Sequence, residues 1–319
     1  RDVDAAVARE AIRTAARFPL ADDDLTAALI SLLQDRRLKA AARHTLASYG
    51  DPVLVILARE MLDSSAHPWV GRHIPATVAL IPGQAAVDIL AGALSAEDGF
   101  LRFKALESLE RIRREHPEVT IDRPPVEALA LADAERHRHY RDASISLFAG
   151  TQGPPTLLSR ALEDKVRRTM DRMLRTVGLV YPWNDIAAAR WTLEHGDARA
   201  RASAVEYLDN LLTGRIRTQL MPLIEQYTLD EHAPRSDAPA AVESDAGVQA
   251  VLRALAADED TVIAATAVDF GRAHHVPGFI EGSPHPSIRG GAEASAAGDP
   301  LALVGLVRGL LTIPLFDAS

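Results

Sequence analysis

The sequence contains no cysteine. That excludes disulfides, cysteine-ligated zinc and thiol catalysis, and it suits a reducing compartment. Aromatic residues make up only 5% of the 319 positions, so there is little material for a groove of stacking rings. No apolar run approaches the ~20 residues that a membrane-spanning helix needs. The apolar helix candidates are broken by Arg, Asp or Pro within a few turns. HExxH, GxxxxGK[ST], GxSxG and GxGxxG are all absent, which removes the signatures of zinc proteases, phosphate-cradling loops, hydrolase nucleophiles and dinucleotide sites. Positive charge is in deficit as well: 35 Lys and Arg against 44 Asp and Glu give a formal net charge of −9 and a pI near 5.7. Such a chain repels phosphate backbones unless it gathers a local basic face.

What is present is Ala and Leu, within a hydrophobic fraction of 47%. This composition favours helices packed closely through small side chains. A repeat organises them. Val7, Leu38, Val70 and Leu101 head four similar segments, spaced 31, 32 and 31 residues apart. Four residues on come Ala11, Ala42, Ile74 and Ala105, and four further Ala15, Leu46, Val78 and Leu109. Each triplet is an i, i+4, i+8 stripe, the expected inward face of a helix. A second set lies between them: Leu25, Leu29, Ile30 and Leu33; Val53, Ile56, Leu57 and Met61; Ala86, Ile89, Leu90 and Leu94. Each unit is therefore read as helix, short turn, helix. Asp22 to Asp24 place negative charge at a helix start. Gly50-Asp51-Pro52 reads as a terminating glycine, an N-cap and a first-turn proline. Pro82-Gly83 breaks the chain in the same way.

The segments resemble HEAT repeats, whose first helix tends to read Val-Arg-x-x-Ala-x-x-x-Leu-x-x-x-Gly. Leu38, Lys39, Ala42, Leu46 and Gly50 fit that pattern, as do Leu101, Arg102, Ala105 and Leu109; Ile74 and Pro75 depart from it and predict a kink or irregular turn. The resemblance implies an all-α, armadillo-like, right-handed α-solenoid of about eight to ten helix pairs, with second helices lining a concave binding surface.

After Pro117 the period weakens. Residues 126–148 read as a long helix or a broken pair. Pro154-Pro155 opens a strong helix with Val166, Met170, Leu174 and Val177 on one face. Residues 183–195 form another helix, and Ala200, Ala204 and Leu208 bring the stripe back, with Ile216, Leu220, Leu223 and Ile224 supplying its partner. The expected organisation is a solenoid over 1–228 (regular repeats to 116, degenerate repeats 117–197, a repeat at 198–228), a Pro- and charge-rich linker at 229–243, and a smaller helical unit at 244–319. That unit would carry Val248 to Ala256, then a Val262, Thr266, Phe270 face, a Gly/Pro-rich loop at 278–298 and an apolar helix at 301–311. The chain opens on Arg1 without a signal-peptide pattern and is expected to be an excised piece of a longer protein; a tag-cleaved chain would look the same.

A narrower likeness covers about a fifth of the chain. Gly178, Tyr181, Pro182, Asp185, Gly196, Asp197, Arg199, Ala204, Glu206, Leu208, Asp209, Asn210 and Leu211 are similar to the cytosolic HEAT segment of certain bacterial membrane proteins. In those, a domain related to ATP/ADP-exchange transporters precedes the repeats and a cyclic-nucleotide-binding-like domain often follows. The likeness implies a cytoplasmic connecting or sensing module, attached to a membrane only through other domains of its polypeptide.

The candidate binding residues are basic. In Arg136-His137-Arg138-His139-Tyr140-Arg141, the residues His137, Tyr140 and Arg141 share a helix face and could hold a phosphate or an acidic partner segment; the plainer reading is a solvated face. Arg168, Arg172 and Arg175 align in a second strip beside Arg167, where amphipathic patterning competes with anion binding. Arg111, Arg113 and Arg114 complement a helix C-terminus. Glu206, Asp209 and Asn210 could pair for catalysis, but a cap or a buried bond between repeats is the stronger expectation. His137 and His139 point to different sides, and His274-His275 and His285 lack a third ligand in phase, so no metal is expected. Trp69, Trp191 and the Tyr181-Pro182-Trp183 turn read as packing. No cofactor and no catalysis are expected. The expected partner is a protein or a neighbouring domain of the same polypeptide. The rivals are a nucleic-acid-binding solenoid, a HEAT-like glycosylase, which would need a basic aromatic groove, and a small-molecule or nucleotide sensor with a deep pocket.

Overall fold

The computed structural model describes residues 5–18, 23–63, 68–149, 155–230 and 245–274. The described residues form helices and no strands. In order these are α1 (Ala5–Ala15), α2 (Asp23–Ser31) with a 3-10 turn (Leu32–Gln34), α3 (Lys39–Ala47), α4 (Asp51–Leu62), α5 (Pro68–His73), α6 (Pro75–Val78), α7 (Gln84–Ala93) and α8 (Gly99–Glu115). Then come α9 (Arg123–Phe148), α10 (Leu157–Gly178), α11 (Trp183–His195), α12 (Ala198–Leu211), α13 (Gly214–Asp230), α14 (Asp245–Ala256) and α15 (Thr261–Ala273). They divide into two compact units. The first takes its described residues from the stretch up to Asp133 and from Asp171–Glu225, the second from Ala134–Met170 and from Gln226 onward.

In the first unit, helices one repeat apart lie against each other. α1 packs on α3, α3 on α6 and α6 on α8, while α4 packs on α7. The stripes supply the contact: Ala42, Leu46, Ile74, Val78, Leu101, Ala105 and Leu109 are buried in one cluster with Leu33, Val53, Leu57, Met61, Ala86, Leu90 and Leu94. Removing each large side chain from water favours this packing by about 1.5–3 kcal/mol. Polar bonds repeat at nearly the same spacing. Thr45 Oγ1 donates to the Ile12 carbonyl at 3.0 Å and Tyr49 Oη to the Ala15 carbonyl at 2.9 Å. They satisfy carbonyls in the last turn of α1, where the helix ladder runs out.

α1 departs from the expected stripe. Val7 is 50% exposed and Ala11 is exposed; only Ala15 of the stripe is buried, with Ile12 beside it. The helix turns its larger Ile12 inward, on the side where α1 packs against α3. The segment headed by Val70 breaks where Pro75 predicts: α5 stops at His73 and α6 starts with Pro75, because the proline ring cannot follow a continuous ladder. Asp51 is already the first residue of α4, and Gly50 takes the cap position. Its φ of 65° lies in the left-handed region that favours glycine. Residues 126–148 fall in one continuous helix, α9.

In the second unit, α14 and α15 form a hairpin. Leu252, Leu255, Ile263, Ala264, Ala267 and Val268 are buried with Tyr140 and Ala143 of α9 and Leu158 and Leu162 of α10. The buried face of α15 is therefore rotated from the expected Val262, Thr266, Phe270 line, which is only half-buried. Ile263 and Val268 enter the interior together with the small Ala264, Ala267 and Gly271. The expected linker beyond Asp230, the 278–298 loop and the 301–311 helix lie outside the described residues.

Candidate functional site

The basic run on α9 and the acidic turn Asp258-Glu259-Asp260 between α14 and α15 are brought together within the second unit. Arg136 Nε lies 3.2 Å from Glu259 Oε1. Tyr140 Oη donates to Asp258 Oδ1 at 3.2 Å, and His139 Nε2 is 3.7 Å from Asp258 Oδ2. Lys165 of α10 pairs with Asp260. The turn is shaped by its own carboxylates. Asp258 Oδ1 accepts from the Asp260 amide at 2.7 Å, and Asp260 Oδ1 caps α15 by accepting from Val262 and Ile263 at 3.0 and 3.2 Å. Burial pushes the Asp258 carboxyl up. Burial, followed by the neighbouring carboxylates of Asp258 and Asp260, raises the Tyr140 hydroxyl far above its usual range, so it stays a donor.

The α9 run is thus not a solvated face. Tyr140 is 4% exposed and His137 is fully buried. His137 Nδ1 faces the Val166 carbonyl at 3.1 Å and Thr169 Oγ1 at 3.2 Å. A carbonyl only accepts, so Nδ1 carries the proton. Nε2 is left buried without a hydrogen-bond partner among the described residues, 6.3 Å ring to ring from Tyr227. A second proton there would be a buried donor with no acceptor. Burial, with the cations Arg141 and Arg138 behind it, holds His137 down at about 4. Arg141 lies 3.7 Å from Asp142. His137 and Tyr140 therefore serve packing and polar satisfaction, although their spacing matches the face expected to bind an anion.

The α10 strip is spent on carboxylates of its own chain. Arg168 pairs with Asp164 one turn earlier at 2.7 Å. Arg172 forks onto Asp133 of α9 with bonds of 2.9 and 2.7 Å, and that carboxylate is fully buried. Arg175 Nε reaches both oxygens of Glu110 on α8 at 3.0 Å, with its guanidinium 5.4 Å from the Phe103 ring centre. The sequence reading missed the partners Asp133, Glu110 and Asp258–Asp260. A readable signal existed for the last, because an acidic triplet before an apolar helix is an N-cap pattern. None existed for Asp133 and Glu110, whose pairing spans 39 and 65 residues.

The remaining candidates are local. Asp209 receives a forked bond from Arg217 at 2.8 and 2.9 Å. It is partly exposed, so the expected buried bond between repeats is replaced by a surface ion pair from α12 to α13. Asn210 Nδ2 donates to the Glu206 carbonyl at 2.9 Å. Arg113 donates to the Tyr181 carbonyl at 3.3 Å, Arg111 pairs with Glu115, and the Arg114 guanidinium lies 6.0 Å from the Trp183 ring centre. Tyr181 is buried and accepts the Thr213 amide at 3.2 Å. Gly196 is confined: a Cβ there would lie 2.5 Å from the Thr192 carbonyl oxygen. Trp191 is not a packing residue. It is 63% exposed and stacks on His195 at 5.1 Å, because position 191 falls on the outward line of α11 with Asn184, Ala188 and His195. Trp69 is half-buried against Phe100. His274 stacks on Phe270 at 4.0 Å; His275 and His285 lie outside the described residues. Among the described residues no group of three or more His, Asp or Glu is placed to hold a metal, and no helix is long and apolar enough to cross a membrane.

Asp260→Ala is expected to destabilise the α14–α15 hairpin by about 1–2 kcal/mol, since it removes both the cap of α15 and the partner of Lys165. Asp260→Asn keeps a capping oxygen and costs less. Hydrogen exchange at the first-turn amides of α15 reads the difference; equal protection in all three proteins would show that the cap is not important.

No family model matches the chain, and no curated protein matches it. A crystal structure of an engineered protein aligns over 99% of this chain and 93% of its own, at 17% identity and a TM-score of 0.25, a likeness too weak to assign a fold.

Proposed function

We propose that the chain is a non-enzymatic protein-interaction or scaffolding module, built from HEAT-like helical repeats as an α-solenoid and belonging to a larger cytoplasmic or membrane-attached polypeptide. The observation that carries the reading is the outward line of α4. Val55 is 75% exposed and Leu62 is 59% exposed; Arg59 lies between them, its side chain also largely exposed. The i, i+4, i+7 spacing makes one strip two turns long. Single exposed aliphatics are ordinary, but two on one line of a repeat's second helix fit the groove-lining role that the HEAT resemblance assigns to those helices. A rigid helix face of this kind suits an amphipathic partner segment. The nucleic-acid alternative draws no support from the arginine strips, whose charges are occupied by Asp133, Glu110, Asp164 and Glu259.

The test compares the wild type with Val55→Asp/Leu62→Asp as immobilised bait in lysate of the source organism. A protein recovered by the wild type and reduced at least about tenfold with the double variant, at unchanged thermal stability, is the expected result; a loss of that size is worth about 1.4 kcal/mol. Equal recovery by both baits, or recovery of nucleic acid alone, would refute it.

A further inference from the structure

Several arginines of the first unit pair with carboxylates, and others, such as Arg113, donate to backbone carbonyls. Arg72, Arg172, Arg175, Arg190 and Arg217 each rest on a carboxylate. Arg43, on α3, has a histidine instead: its Nη2 lies 3.3 Å from Nδ1 of His73, at the end of α5. A guanidinium only donates, so Nδ1 is the acceptor, His73 is neutral, and its proton sits on Nε2. Arg43 Nε is sealed from solvent without a hydrogen-bond partner among the described residues. The charge is thus half-buried with no anion against it, an arrangement that low-dielectric surroundings penalise.

Further cations surround this pair. Lys39 lies one turn before Arg43 on α3, and Lys104 approaches from α8. Burial first, then the charges of Arg43, Lys39 and Lys104, drive His73 down to about 4. Lys104 is partly neutralised by Glu107 at 2.8 Å and lies 5.5 and 5.4 Å from the Phe100 and Phe103 ring centres. The neighbouring Arg72 is neutralised by Asp98 at 2.7 Å. What remains is Lys39, Arg43 and a donor imidazole, converging from two helices of consecutive repeats in a chain whose net charge is −9.

We propose that Lys39, Arg43 and His73, with Lys104 at the margin, form a binding site for a phosphate-type oxyanion. The guanidinium and ammonium groups supply charge and donors, and the His73 Nε2–H supplies a neutral donor. Two point-like ammonium groups and one guanidinium suit the several oxygens of a phosphate better than the single plane of a carboxylate. The site stands apart from the α4 strip and does not depend on the interaction reading.

The test is an NMR titration of the full chain with inorganic phosphate at pH 6.5 and constant ionic strength. It follows the ring C–H signals of His73, assigned with His73→Gln. A saturable shift of these signals is expected. Arg43→Gln and Lys39→Gln should each weaken binding tenfold or more. Lys39→Gln changes a partly exposed side chain and leaves the core untouched, so it remains decisive if Arg43→Gln unfolds. O-phosphoserine is titrated in parallel. Tighter binding than inorganic phosphate identifies a phosphorylated side chain as the source, and equal or weaker binding identifies a free phosphate. A linear response, an equal response to acetate, or an unchanged response in folded Lys39→Gln and Arg43→Gln would overturn the site.

Discussion

Replacing Arg172 with methionine is expected to lower the stability of the protein by about 3–5 kcal/mol, the largest effect of any single polar substitution considered. Asp133 is fully buried and receives two bonds from the Arg172 guanidinium, at 2.7 and 2.9 Å. Truncation leaves that carboxylate in the interior without its guanidinium, and the low dielectric there makes the loss far greater than at a surface pair. The pair itself is worth much less than its breakage costs, because both charges gave up their water to form it. Arg172→Met/Asp133→Leu is therefore expected to regain most of the lost stability, while Asp133→Asn falls between. Urea unfolding of the four proteins checks this. A fall of under about 1 kcal/mol for Arg172→Met would place the pair with ordinary exposed ion pairs.

Acidification should weaken the second unit through His137. Its folded value of about 4 lies below its ordinary value of 6.5, so the unfolded chain binds the proton more readily. The contribution to stability is then complete above about pH 6.5 and is lost as pH falls through 4. The interval corresponds to about 3 kcal/mol. The facing charges are the cations Arg141 and Arg138, which hold the value down, and Asp142, which opposes them. Asp258 works in the opposite sense, because its carboxyl is pushed up, but it does so equally in the wild type and in His137→Gln. The difference between the two proteins isolates His137. His137→Gln should flatten the decline in stability between pH 6.5 and 4, and an unchanged pH profile would remove His137 from the explanation. Thermal unfolding at half-unit pH steps measures it.

The apolar period was readable because burial on a helix follows a rotation of about 100° per residue, and a stripe such as Leu101, Ala105, Leu109 cannot lie elsewhere than on one face. The same logic placed the turn residues Gly50, Pro75 and Tyr181. It failed at edges. Val7 and Ala11 copy the stripe, but α1 packs on α3 through Ile12 and Ala15. Trp191 looked like packing because tryptophan usually is, yet its position follows the outward line of α11. On α15 the interior went to Ile263, Ala264, Ala267 and Val268, one position round from the expected Val262, Thr266, Phe270 line.

The basic runs mark a different limit. Arg136 to Arg141 and Arg168 to Arg175 are equally compatible, as sequence, with a solvated face, an anion site or internal ion pairs. Their spacing states which side chains share a face, but it contains nothing about what faces them. The distribution of those charges among Asp133, Glu110 and the 258–260 turn was settled when helices far apart in the chain were packed together. The same packing left Arg43 against His73 rather than against a carboxylate. Local periodicity and turn chemistry alone determined that this chain is all-helical, with two alternating sets of apolar stripes. Which polar groups are paired, which are buried and which are left facing solvent was decided only by the tertiary structure, because the energy of a charge depends on its three-dimensional surroundings and not on its neighbours in sequence.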